Sequence, residues 1–124
     1  MNYLAIVVAA GAAFVASALW YTVFSKAMME LSGAADTGAS VWTMLFVIAQ
    51  SLIISFMVAY FVSRVGISGF ASAAGLGALL WIFPAAILLG SVVHEGVPLA
   101  LAAIHAGDWL VKLLLIGVVV GVWR

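Results

Sequence analysis

The chain contains no cysteine. Disulfides, thiolate nucleophiles and zinc–thiolate centres are therefore excluded, and redox compartment is left open. Charge is almost as scarce. Four acidic and four basic side chains make up 6% of 124 residues, with a formal net charge of zero. Soluble domains carry about 25% charged residues. A nucleic-acid partner needs a basic footprint, and none exists here. Nor is there a Lys/Arg-rich amphipathic face of the kind that lays a helix on a bilayer surface. Phosphate loops, nucleophile elbows and metalloprotease motifs are missing as well.

What fills the chain is apolar: 69% of its residues are hydrophobic. So short a soluble protein could not hide that much surface, whereas lipid can cover it. Spanning a bilayer by helix takes about 20 mostly apolar residues. Four stretches qualify, at about 3–24, 41–63, 70–93 and 98–123. Backbone groups in lipid must be satisfied internally, and the stretches lack the alternation of barrel strands. The expectation is an all-α polytopic membrane protein: one domain, four antiparallel transmembrane helices and short loops. Ala16-Ser17-Ala18 resembles a signal cleavage site, but no Lys or Arg precedes Lys26. The positive region of a signal peptide is therefore missing, and the first stretch reads as a retained span.

Punctuation separates the spans. "SKAMMELSGAADTGAS" (25–40) is polar enough to leave the membrane and suggests a short interfacial helix. "SRVGISG" (63–69) and "HEGVP" (94–98) are tight links, with Pro98 placed for the first turn of the last helix. Aromatic residues mark the water boundaries. Tyr3 lies about 17 residues from Trp20-Tyr21, or roughly 26 Å along a helix, and Trp42 and Tyr60 are spaced alike. Arg64 and Arg124 on one side against Lys26 on the other favour cytoplasmic termini by the positive-inside rule.

Lipid removes the hydrophobic drive for helices to associate, so close backbone approach and interhelical hydrogen bonds must supply it. Small residues recur at helical spacing: Ala5, Ala9, Ala13 and Ser17; then Ser51, Ser55, Ala59 and Ser63. The third span offers Ala71, Ala74, Gly75 and Ala78, and the last a GxxxG pair, Gly117 and Gly121. That pair serves either the bundle itself or a contact between copies. Pro84, mid-span in "WIFPAAI", removes a backbone hydrogen bond and makes either a static bend or a hinge. The Gln50 amide, mid-span in the second helix, calls for a partner on another helix.

The last span holds the chemistry. In "IHAGDWLVKLL" (104–114), Asp108 and Lys112 fall about 60° and 20° from His105 at about 100° per residue. Gly117 and Gly121 fall about 120° to 160° away. One face is polar and another small, so this helix should be buried in protein. A central Asp or Lys costs about 2.5–3.5 kcal/mol in translocon insertion, and each large aliphatic returns about 0.3–0.6. About thirteen such aliphatics here roughly balance the two charges, so insertion is marginal unless the charges pair or reach water. The acid precedes the base by four residues, the favourable order for a helical pair. Two depths are open. If Pro98 starts the helix at the interface, Asp108 lies about 15 Å in and an ionisable group there marks a functional site. If Trp109 marks the interface, His105 and Asp108 are wet and Lys112 snorkels. His94 and Glu95 stand at the mouth of the stripe, but neither metal nor haem spacing is recognisable, and no cofactor is expected.

Two segments carry a resemblance: the opening "MNYLAIVVAAGAAFVASALWYTVFSKAMMELSG" and the closing "HEGVPLALAAIHAGDWLVKLLLIGVVVGVWR". The chain resembles the small bacterial membrane proteins of the domain-of-unknown-function family 1761 over nearly its whole length. The resemblance implies four transmembrane helices, a "WYSP…FGK.W" pattern after the first and an "EG.P…N.G.W" pattern into the last. Trp20, Tyr21 and Lys26 match the first pattern, with Thr22 and Val23 in place of Ser-Pro. Glu95, Gly96, Pro98, Gly107 and Trp109 match the second. His105 stands where the family often has Asn, and Asp108 where an aromatic is common. No activity comes with the resemblance.

Two functions stand as expectations. The first is a non-enzymatic protein of the bacterial cytoplasmic membrane, acting by assembly as a homo-oligomer or accessory subunit. The second is a proton or ion channel or small transporter. In it His105, Asp108 and Lys112 form the relay, with His94 and Glu95 at its mouth; imidazole suits the role because it ordinarily titrates near neutral pH. An enzyme is the least supported reading.

Overall fold

A computed structural model describes residues 2–32 and 41–123. They form six helical segments: α1 (Tyr3–Val23), α2 (Ser25–Ser32), α3 (Val41–Val65), α4 (Phe70–Leu80), α5 (Ile82–Glu95) and α6 (Leu99–Val122). No strand occurs among the described residues. Four helices are long and apolar enough to cross a membrane, with α4 and α5 together making the third, Phe70–Glu95. Arg124 and residues 33–40 lie outside the described residues, so the polar link is represented by α2 alone.

Local chemistry explains where the helices begin and turn. The Asn2 side chain caps α1 by accepting from the Ala5 N–H at 3.2 Å, which satisfies one of the free donors of the first turn. Gly96 ends α5 in the left-handed conformation (φ 69), the position for which glycine has no steric penalty. Gly69 (φ 91) likewise precedes α4. Pro98 is the N-cap of α6, and the helix begins one residue later than its sequence position suggested.

The third span is interrupted at Trp81, yet Trp81 keeps right-handed helical dihedrals (φ −59, ψ −24). Bonds continue around it: the Trp81 N–H donates to the Gly77 carbonyl and the Ala85 N–H to the Trp81 carbonyl. The missing rung is the one Pro84 cannot donate to Leu80, because proline has no N–H.

The four spans do not close into a ring. The helices α1, α3 and α6 pack in a triangle, with α4 and α5 attached mainly through α6. The core of the triangle joins Ile6, Ala9 and Ala13 of α1, Val58, Ala59 and Val62 of α3, and Leu113, Ile116 and Val120 of α6. Asn2, Ser63 and Trp123 line one cavity, so the start of α1 and the ends of α3 and α6 share one end of the molecule. The helix α5 contributes no buried residue.

Small residues set the α4–α6 contact, but not all those the spacing suggested. Gly75 faces open space and is exposed. The close approach is made by Ala73 and Gly77, which are buried and one helical turn apart. A Cβ on Gly77 would lie 2.6 Å from the Leu113 carbonyl oxygen, and one on Gly117 2.9 Å from that of Ala73. A Cβ on Gly121 would lie 2.5 Å from the Ala73 Cβ. The Gly117/Gly121 face is therefore occupied within the chain. Ser51 and Ser55 are both buried, as packing residues should be.

Candidate functional site

The helix α6 is surrounded because it touches α1, α3, α4 and α5. That enclosure buries its two charges. Asp108 is 1% exposed and Lys112 6%. Their salt bridge, Nζ to Oδ2, measures 2.8 Å. The midpoint of α6 falls between Leu110 and Val111, so the pair brackets the centre of the helix, about 18 Å from either end at 1.5 Å per residue.

A relay of hydrogen bonds leads to the pair from the α5–α6 link. The antiparallel run of α1 against α6 brings Tyr21, near the end of one, to His105, near the start of the other. The Tyr21 hydroxyl lies 2.8 Å from His105 Nδ1 and donates to Asp108 Oδ2 at 3.3 Å. A phenol has one hydrogen. With that hydrogen on Asp108, the imidazole donates Nδ1–H to the phenol oxygen. The chain then runs His105, Tyr21, Asp108, Lys112. Asp108 Oδ2 accepts from both Tyr21 and Lys112, while Oδ1 is buried without a hydrogen-bond partner among the described residues. Lys112 Nζ also sits 4.0 Å from the centre of the Trp109 ring, a cation–π contact that helps replace lost hydration.

Two tryptophans hold α6 within one turn of Asp108. The Trp20 indole N–H donates to the Ile104 carbonyl at 2.9 Å, and that of Trp81 to the Ala106 carbonyl at 2.8 Å. Gly107 makes room for the Trp20 ring, since a Cβ there would lie 2.4 Å from its Cζ2. The opening and closing segments that carry the family resemblance thus meet in space, Trp20 on Gly107 and Tyr21 on His105.

A cavity of about 530 Å³ adjoins the pair, between α1, α3 and α6. Its walls include Phe14, Tyr21, Met44, Val47 and Gln50, with Asp108, Trp109 and Lys112 at its base. Gln50 makes no hydrogen bond among the described residues, so the interhelical partner expected for its amide is not found. Between this cavity and the 440 Å³ cavity at Asn2 and Trp123 stands the apolar core of Ile6, Ala9, Val58, Val62 and Ile116.

The sequence-predicted stripe is thus divided. His105, Asp108 and Lys112 are brought together. His94 and Glu95 are exposed at the end of α5, and no hydrogen bond or ion pair joins them to the stripe among the described residues. No cluster of three metal-ligating His, Asp or Glu occurs among the described residues. Sequence reasoning missed Tyr21 as a member of the site and read it as a boundary aromatic. It also missed Gly77 and both tryptophan clamps. Tyr21 could have been found by laying α1 antiparallel to α6 and asking which polar side chain reaches the depth of His105.

The class of molecule is therefore a helical membrane protein with four spans and an ion pair buried at the middle of the last. The family described as "Protein of unknown function (DUF1761)" matches residues 4–121, and the chain belongs to it. No curated protein and no solved structure matches the chain.

Proposed function

We propose that the chain is a small proton-relaying transporter with Asp108 and Lys112 as its working site, in the cytoplasmic membrane of a bacterium with both termini in the cytoplasm. The observation that carries this reading is Asp108: a carboxylate 1% exposed, with one oxygen unpartnered, at the base of a cavity. Ionisable groups at that depth are expensive and mark ion or proton pathways.

The relay balances atom by atom. A proton arrives at Nε2 of the half-buried His105. The Nδ1 proton passes to the Tyr21 oxygen, and the phenol hydrogen passes to Asp108 Oδ2. His105 and Tyr21 end neutral, with the imidazole in its other tautomer. Asp108 is now neutral, and the Lys112 ammonium has lost its counter-charge in apolar surroundings. Relief of that charge is the force available to move α6 against its neighbours. Because the far side is an apolar core, a carrier that changes conformation suits the geometry better than an open pore.

Assembly as a homo-oligomer or accessory subunit has less support. The glycine pair that would form its seam is covered by α4, and lipid alone suffices to cover the exposed faces of α3 and α5.

The test is proton uptake into phosphatidylcholine proteoliposomes holding a pH-sensitive dye, driven by a potassium diffusion potential. The parent should exceed empty vesicles, and Asp108→Asn, His105→Ala and Tyr21→Phe should each lower the rate at least about tenfold. Uptake that is absent in the parent, or unchanged in all three variants, ends the proposal.

A further inference from the structure

The cavity beside the ion pair has a shape and a polarity that go further than proton movement, provided that Asp108 and Lys112 are the working site. At about 530 Å³ it falls in the size range of small-molecule sites. Its wall on the α3 side is made by the half of that helix that contributes no buried residue. None of residues 41–50 is buried, whereas Ser51, Ser55, Val58, Ala59 and Val62 all are. Met44 on α3 and Ala18 on α1 line the cavity and are exposed on the outside of the helices. The opening therefore faces the surrounding lipid, and a ligand can reach Asp108 sideways out of the bilayer.

The polar atoms at the base specify the head of that ligand. The Gln50 amide offers a donor and an acceptor that the fold does not use. Lys112 spends one N–H on Asp108 and rests against Trp109, which leaves a further donor. A hydroxyl serves both, donating to the Gln50 side-chain carbonyl and accepting from Lys112. Charge narrows the choice. The Asp108–Lys112 pair already cancels itself, so an ammonium or carboxylate head would leave a net charge near mid-span, where it is costliest. Phe14, Met44 and Val47 supply the apolar wall for a chain behind the head.

We infer that the cavity between α1 and α3 binds a neutral, hydroxyl-headed amphiphile drawn laterally from the bilayer, its hydroxyl hydrogen-bonded to the Gln50 amide and its chain lying along Phe14, Met44 and Val47.

The full chain in phosphatidylcholine vesicles is exposed to three photoactivatable probes with the same diazirine-bearing chain: a 1-monoacylglycerol, a fatty acid and a primary alkylamine. Labelled residues are mapped by mass spectrometry. The monoacylglycerol should label Phe14, Met44 or Val47 at least about tenfold more than either charged probe. Val47→Trp, which fills the cavity, should abolish that preference. Gln50→Leu, which breaks no hydrogen bond of the fold, should lower it several-fold. Equal labelling by all three probes overturns the inference, because it describes an ordinary lipid-facing surface. So does selection of the acid or the amine, and so does labelling at the level of Val47→Trp, which means that water satisfies the Gln50 amide. Proton uptake measured on the same vesicles separates the two proposals. Selective labelling without proton uptake retains the ligand and removes the relay. Tyr21-dependent uptake with indiscriminate labelling does the reverse.

Discussion

Removing Lys112 alone should harm the protein more than removing both members of its ion pair. At 2.8 Å the attraction is about 6 kcal/mol at an effective dielectric of about 20, and about 1.5 kcal/mol if water surrounded the pair. Desolvation offsets much of the former. What remains measurable is the penalty for stranding one charge, about 3–5 kcal/mol for a buried pair, whereas replacing both with uncharged residues of similar size is neutral or stabilising. Lys112→Met leaves the Asp108 carboxylate 1% exposed in its present position, with only Tyr21 donating to it. The variant should therefore lose about 3 kcal/mol or more. Asp108→Asn combined with Lys112→Met should return to within about 1 kcal/mol of the parent, a coupling at the upper end of those between contacting residues. Reversible unfolding in mixed dodecyl maltoside and dodecyl sulfate micelles, followed by circular dichroism, reads both. If Lys112→Met changes stability by less than about 0.5 kcal/mol, the pair behaves as a solvated surface bridge and its burial is refuted.

Gly77→Ala should destabilise the chain by about 1–3 kcal/mol, the usual range for overpacking, because its Cβ meets the Leu113 backbone. Gly75→Ala, which faces open space, should be neutral or gain up to about 1 kcal/mol in helix propensity; the same unfolding assay compares them, and equal effects would contradict the α4–α6 packing. Trp20→Phe should lose about 0.5–1.5 kcal/mol with its hydrogen bond to the Ile104 carbonyl, visible as a lower midpoint, and an unchanged midpoint would show that the clamp is not formed. Pro84→Ala restores the N–H that the Leu80 carbonyl lacks. If Pro84 is a hinge, this variant slows proton uptake while raising stability; unchanged uptake assigns it a static bend.

The spans were legible because lipid imposes one requirement on every residue of a stretch, and a run such as 99–122 meets it throughout. The stripe was legible for the same reason: His105, Asp108 and Lys112 stand out against an apolar background and share one helical face. Which small residues pack was not legible. Ala71, Ala74, Gly75 and Ala78 have the right size, and so do Ala73 and Gly77; choosing between them needs the rotation of α4 about its axis, which α6 sets. Tyr21 was hidden for a related reason. An aromatic near a helix end satisfies the boundary pattern whether its hydroxyl meets water or Asp108, and only the pairing of α1 with α6 decides. His94 and Glu95 stand apart from the packed stripe. Nearness in sequence suggested a place at its mouth; Gly96 turns the chain there, and both are exposed.

Both the relay and the ligand cavity require the ion pair to lie deep in the bilayer, screened by protein and lipid from water. Since the chain has no cysteine, a nitroxide on Gln50→Cys is a unique label beside Lys112. Power-saturation paramagnetic resonance in vesicles then compares access of oxygen, which partitions into acyl chains, with that of a polar nickel chelate. High oxygen and low nickel access, as for the centre of a bilayer, is the predicted result. Nickel access equal to that of a headgroup-level label would place the pair in water and contradict its burial at mid-span.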